Sequence, residues 1–415
     1  MTRSIVGRLS GFFLRSESIY DVFLVNHAIS KLFGLTIYSV VRETDKYRIK
    51  VTLSDVLGLL WLLFMQGFMF YVALVILNRF QSTGSEIMDN GMKYSFLFFS
   101  NYVLLSSIEN YWRYGHILMI WRKFDEFDAR ARKMNASIDH SSEKQHFFRA
   151  FAFLFLALIT VQVSGYITLS YVYPLRIRLF VTTSFLFFSV PYTIIHQNVY
   201  IICQSVCNRL NHVNRAFGVH FVPQKKANQL LMNELPAPRG LWDKAIVLDQ
   251  LTTLWTQITE LTQMVSHVFV AQIIAITVTS TMMITFSLFT FYRAQLGEDY
   301  HLELISLTYL KASAFYVLIL AVLIEKFDAI KREAKQTAVL VHKALREDDN
   351  KHLREELIAF SLLLNHRPVR ITCALFDCDW TMGVSIIGTI SSYLVILIQF
   401  DVIILPVPVD AKIVV

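Results

Sequence analysis

Charge is scarce in this chain, and so are glycine, proline and cysteine. Only 17% of its 415 residues are charged while 54% are hydrophobic, which leaves too few ionic groups to coat an ordinary water-soluble globule. The 14 Gly and 8 Pro supply little turn chemistry for the many strands of a membrane β-barrel. Four cysteines, Cys203, Cys207, Cys373 and Cys378, imply no disulfide framework. Cys203 and Cys207 share a helix face but lack the close Cys/His partners of a zinc site. His-Glu-x-x-His, Walker and nucleophile-elbow patterns are missing, so nothing points to an enzyme, a metal or another cofactor.

What the chain does have is length in its apolar runs. A bilayer core of ~30 Å takes about 20 helical residues at ~1.5 Å each. Seven runs suffice: Val56 to Leu77, Tyr94 to Tyr114, Phe147 to Leu169, Leu179 to Ile202, Val265 to Tyr292, Ile305 to Ile324 and Thr381 to Phe400. The fold class is all-α, a seven-transmembrane helical protein of the plasma membrane.

Basic residues fix the orientation, because Lys and Arg are retained on the cytoplasmic side. Of the 39 basic residues, 32 fall in alternate connections that include the amino-terminal segment. The amino terminus is therefore expected in the cytoplasm and the carboxyl terminus outside. The net charge of +7 then reports topology and anionic lipid headgroups, and no nucleic-acid module accompanies it. Ile19 to Val41 is apolar but broken by Asp21, Asn26, His27 and Lys31, which suits an interfacial or re-entrant helix better than a signal peptide. The sequon Asn135-Ala136-Ser137 lies on the basic side and should carry no glycan.

The helical pattern of the fourth run continues through Cys203, Leu210 and Val213 to Phe217, roughly twice the length a membrane needs. The fifth run is preceded by Leu248, Leu251, Leu254, Ile258 and Leu261 at helical spacing, and the sixth continues through Phe327, Ile330, Ala334, Val341 and Leu345. Leu353, Leu357, Phe360 and Leu364 mark a further amphipathic helix that should pack against these extensions. Val219 to Gly240, with Pro236 and Pro238, has the composition of a disordered connection. Four parts follow: a cytoplasmic segment over 1–54, transmembrane helices one to six over 55–325, cytoplasmic anchor helices over 326–380, and a last helix with a short external tail over 381–415.

Ionisable groups within spans are functional candidates. Lys311, with Tyr309, could face an outer cavity, or it could snorkel to the headgroups. Tyr166, Arg178 and Thr285 share that depth and polarity and complete a candidate ligand pocket. Glu109 reads as an inter-helix hydrogen-bond partner. The last run places small and hydroxyl residues in its first half, aliphatics in its second, and then Gln399, Phe400 and Asp401. Several copies around an axis would make a pore, wetted by the Ser/Thr stripe and constricted near Phe400, with Asp401 as an acidic ring at the mouth. A helix that only packs through its small residues is the alternative.

The segment Ser392-Tyr393-Leu394-Val395-Ile396-Leu397-Ile398-Gln399-Phe400 resembles the signature of the insect gustatory receptors, Thr-Tyr, five mostly hydrophobic residues, then Gln-Phe. Here Ser392 replaces the threonine and keeps its hydroxyl. Phe360-Ser361-Leu362 with His366-Arg367-Pro368-Val369-Arg370, and Lys31-Leu32-Phe33-Gly34-Leu35, are similar to two further segments of that family. The resemblance implies a ligand-gated, non-selective cation channel, a homotetramer that could also assemble with related receptors. Its last helices would line the pore, Phe400 would gate it with Gln399 as a polar ring beside it, and a small-molecule tastant would bind in the outer half of the bundle.

Leu394, where the sweet-receptor branch usually has Glu, weighs against that branch. The fifteen residues after Phe400, including Pro406 and Pro408, run longer than the resemblance leads one to expect. A G-protein-coupled receptor would be expected to carry Asp-Arg-Tyr and Asn-Pro-x-x-Tyr motifs, and a transporter two related halves; neither pattern is seen.

Overall fold

The computed structural model describes residues 18–36, 38–43, 46–71, 86–134, 138–222, 241–296, 300–347, 350–373 and 376–404. The sequon, the Pro236–Pro238 connection, the end of the first run at Leu77 and the tail with Pro406 and Pro408 lie outside the described residues.

Helix α1, Ile19–Leu32, leads through a turn at Gly34 into a hairpin of β1, Ser39–Glu43, and β2, Lys46–Lys50, with Ser39 opposite Lys50. Then come α2 (Leu53–Tyr71), α3 (Glu86–Trp112), α4 (Tyr114–Lys133) and α5 (His140–Leu169). The long helices α6 (Leu175–Phe221), α7 (Leu241–Leu296) and α8 (Tyr300–Glu347) follow, then α9 (Lys351–His366) and α10 (Trp380–Ile404). Among the described residues, five helices, α5, α6, α7, α8 and α10, are long and apolar enough to cross a membrane. The apolar helix described at the first expected span, Leu53–Phe68, is shorter. The second, α3, has the length at 27 residues but carries Glu86, Asp89, Lys93 and Glu109.

The expected extensions are present. At ~1.5 Å per residue, the 47, 56 and 48 residues of α6, α7 and α8 reach about 70 to 85 Å, far beyond a ~30 Å core. Past the apolar spans they form a bundle closed by α9, whose buried face is Leu353, Leu357, Phe360 and Leu364. Phe360 stacks on Phe217 of α6 at 6.1 Å and meets Trp255 of α7 edge-on at 6.3 Å. We call this the extension end of the molecule and the opposite one the far end.

A buried charge cluster ties α4, α5 and α6 together at the extension end. Arg209 of α6, with no exposed side-chain surface, donates from Nε and Nη2 to both Asp128 oxygens at 2.9 and 2.6 Å and from Nη1 to Glu143 Oε1 at 3.2 Å. Its guanidinium also covers the Phe124 ring at 4.5 Å. Burying three charges is tolerable only because the fork geometry satisfies them mutually.

Helix α1 is not spread on a surface. Ile19, Val22 and Phe23 are buried in the core, with Phe23 stacked on Trp121 of α4 at 5.3 Å, and Asn26 and Ser30 bond Asn198 of α6. Glu109 also differs from expectation. Its partner is Arg113, one turn on, at 3.2 Å, and it is Arg113 that crosses to the His267 and Val268 carbonyls of α7. The four cysteines are free thiols, with the Cys373 and Cys378 sulfurs 2.9 Å apart across a tight turn.

Candidate functional site

Helix α10 begins at a built cap. Asp379 accepts the Thr381 backbone N–H at 2.8 Å and pairs with Lys331 of α8. Bonds from the Lys331 ammonium and from Thr381 hold its carboxyl at about 2, below the usual carboxylate range. The helix that follows touches its own chain along one stripe only: Met382, Ile386, Ile390, Leu394, Leu397 and Asp401 are buried or half-buried against α7 and α8.

The rest of α10 is bare. At about 100° per residue, Thr381, Ser385, Gly388, Ser392 and Gln399 fall within about 60° of one another, on the side opposite the packed stripe. All five are exposed. A small and hydroxyl-rich face thus runs the length of the helix, away from the packed stripe, with Thr381 and Ser385 also bordering the groove that α10 forms with α7. Phe400, 55% exposed, stands one position beyond Gln399 at its flank.

Asp401 does not share that face. It is buried, and its Oδ2 lies 2.8 Å from Arg293 Nη1 at the end of α7. The carboxylate expected at an external ring is turned inward and already neutralised, because two residues past Gln399 the helix has rotated about 200°.

Between α7 and α10 runs a groove of about 650 Å³, where Thr277, Thr281 and Thr285 of α7 face Ser385, Thr389 and Tyr393 of α10. Thr285 and the motif tyrosine Tyr393 therefore share one groove. The other candidate pocket residues lie elsewhere. At the far end, the Arg178 guanidinium of α6 covers the Tyr166 ring of α5 at 4.4 Å. Lys311 of α8 donates to Thr168 of α5 at 2.9 Å. Tyr309 lies half-buried on α8, two residues before Lys311.

The model of a family described as 7tm chemosensory receptor matches residues 23–404. The chain belongs to that family. Two curated relatives of this chemosensory receptor are Drosophila melanogaster proteins. "Putative gustatory receptor 28a" is 39% identical over 87 residues, and "Putative gustatory receptor 28b" is 30% identical over 86. The matched stretch is 21% and 20% of this chain and spans only 19% and 18% of theirs. The fold also matches solved structures of the insect olfactory receptor OR5 from Machilis hrabei. One has a TM-score of 0.63 at 13% identity, covering 91% of this chain and 97% of the other. The other, of OR5 in complex with eugenol, has a TM-score of 0.60 at 12% identity with the same coverage. The chemosensory receptor is accordingly a multi-pass membrane protein.

Sequence reasoning about this receptor passed over a tyrosine cluster in mid-bundle. Tyr192 of α6 packs against Phe99 and Tyr102 of α3 and Tyr316 of α8 at 5.0, 5.8 and 5.4 Å, and its hydroxyl lies 2.6 Å from Ser280 Oγ of α7. One cue was available: aromatics with a polar tip favour the ends of membrane helices, and these three lie well inside their helices, where a hydroxyl needs a partner.

Proposed function

We propose that this receptor is a gustatory, ligand-gated, non-selective cation channel. Several copies, four by the family resemblance, surround a pore lined by α10. The observation that carries the reading is the stripe from Thr381 to Gln399. An isolated helix in lipid gains nothing from leaving a row of small or polar residues exposed, whereas an axis shared with other copies gives them water and one another. Gln399 then forms a polar ring, and Phe400 beside it supplies the apolar constriction. The residues of the α7–α10 groove, Thr285 and Tyr393 among them, connect the pore helix to the rest of the bundle.

On this reading the extension end is the cytoplasmic anchor, as the excess of basic residues there supports, and the amino terminus is inside. The far end, with Tyr166, Arg178, Tyr309 and Lys311, receives a small-molecule tastant. Excised-patch recording from cells expressing the chain alone tests the proposal. A ligand-evoked cation current is expected, with altered gating in Phe400→Ala and reduced conductance in Ser385→Leu. A second-messenger response without current in excised patches would sink it.

A further inference from the structure

Helix α1, the turn after it, α3, α4, α6 and α7 meet around a chamber of about 40 Å³. Its polar wall residues are Asn26, His27 and Ser30 of α1, Thr36 after the Gly34 turn, Asn110 of α3 and Asn198 of α6. Aromatic and aliphatic side chains, Phe23 and Trp121 among them, make up the rest. Asn198 is half-buried and every other wall residue is buried. We infer that the chamber is a binding site for a small cluster of water molecules that completes the docking of α1 onto the bundle. The site goes beyond the channel reading and needs neither the pore nor the orientation.

Part of the wall is satisfied within the protein. Asn26 Nδ2 and Ser30 Oγ donate to Asn198 Oδ1. Asn110 donates to the Leu35 carbonyl at 3.3 Å and accepts from Gln272 of α7 at 2.8 Å. Three atoms of the wall residues are left over: Asn26 Oδ1, His27 Nε2 and Thr36 Oγ1 are buried and find no partner among the described residues. Buried polar groups in folded proteins are almost always bonded, and three from the residues around one small space call for a shared guest.

The same atoms define what binds. The His27 ring bonds the Tyr38 backbone, and with Nε2 unpartnered that bond falls to Nδ1. As the N–H of a neutral imidazole, Nδ1 leaves Nε2 a lone-pair acceptor. Burial pushes the ring down to about 4, which keeps it neutral at physiological pH. Asn26 Oδ1 is an acceptor as well, and the Thr36 hydroxyl can donate or accept. The guest must therefore donate at two points and pair with a hydroxyl at a third, as water does. A buried water needs at least about 10–15 Å³ of such space and two to four polar partners, so the chamber has room for about two or three waters and none for an organic ligand of ordinary size. Cations are disfavoured, because the Lys31 ammonium one turn beyond His27 acts on the ring more strongly than the Asp55 carboxylate does. An anion would face two acceptors.

Radiolytic hydroxyl labelling of the full chain in detergent tests the site, since radicals formed from a bound water oxidise the side chains beside it even where bulk solvent does not reach. Phe23, in the wall, and Phe147 of α5, outside it, are both almost wholly buried, at 2% and 1% exposure, and share one intrinsic reactivity. Phe23 should be oxidised several-fold faster. The second measurement is the thermal unfolding midpoint of Thr36→Val, whose direction is diagnostic. Valine copies the shape of threonine and removes only the hydroxyl. If that hydroxyl bonds water, the midpoint falls by a few degrees; an unpaired buried hydroxyl is better replaced by a methyl, and the midpoint then holds or rises.

Faster labelling of Phe23 together with a lowered midpoint supports the site. Equal labelling of the two rings overturns it, and so does a midpoint at or above that of the parent. Should Thr36→Val not fold, the labelling of the parent decides alone.

Discussion

Arg293 and Asp401 close an ion pair of 2.8 Å between the far ends of α7 and α10. Both side chains are nearly sealed from solvent, at 11% and 5% exposure, so the pair fixes the end of the bare helix next to Gln399 and Phe400.

Removing one partner strands the other charge in a buried place. Asp401→Asn and Arg293→Gln should each cost about 3–5 kcal/mol, read as a lowered unfolding midpoint in detergent. The reversed pair, Arg293→Asp with Asp401→Arg, should recover part of the loss, as a double-mutant cycle would show. Equal midpoints for the parent and both single variants would show that the pair contributes nothing.

Arg209 offers the same test at the other end. Arg209→Ala leaves Asp128 and Glu143 with only His140, 3.6 Å from each, beside them and should lower stability by about 3–5 kcal/mol. The loss should appear as reduced surface expression measured by flow cytometry. Arg209→Lys keeps the charge but cannot make the fork to Asp128, and should fall between the two.

Gly34 is required by its backbone. Its φ is +71°, and a Cβ there would stand 2.4 Å from the Gly58 carbonyl oxygen of α2. Gly34→Ala should therefore cost more than the roughly 1–2 kcal/mol of the left-handed conformation alone, because the α1 turn must also move off α2. Thermal unfolding measures this. Gly115, which has open space around it, is the control, and Gly115→Ala should be neutral or stabilising.

Asp379 links stability to pH. Its carboxyl is lowered from 3.8 to about 2 by the Lys331 and Thr381 bonds. A depressed acid stabilises the fold above its unfolded value and loses that contribution as pH falls through its folded one. Unfolding midpoints should thus decline between about pH 4 and pH 2, and the part of the decline due to this group should vanish in Asp379→Asn.

Much of the architecture was legible in the chain itself. The extensions of α6, α7 and α8 could be read because a helical period that persists beyond a membrane's thickness leaves no other reading. The face of α9 was equally plain, since Leu353, Leu357, Phe360 and Leu364 repeat at three and four residues. The partners of isolated polar residues were not legible. Glu109 was expected to bond another helix and instead bonds Arg113 within its own turn. Thr285 was grouped by depth with Tyr166 and Arg178, yet it lines the α7–α10 groove, because depth in a bundle fixes height and leaves the angle around the helix free.

Helix α4 and the β1–β2 hairpin were not read from the sequence. By itself the sequence determined the class of molecule, the five long apolar helices with their extensions and the asymmetry of its basic residues. These follow from local quantities, apolar run length, period and charge count, that need no knowledge of neighbours. Only the tertiary structure decided that Asp401 turns inward to Arg293, that Arg178 rests on the Tyr166 ring while Lys311 bonds Thr168, and that the Thr381–Gln399 stripe is left bare. Each depends on which faces of distant helices are pressed together, and that is set by packing of the whole bundle.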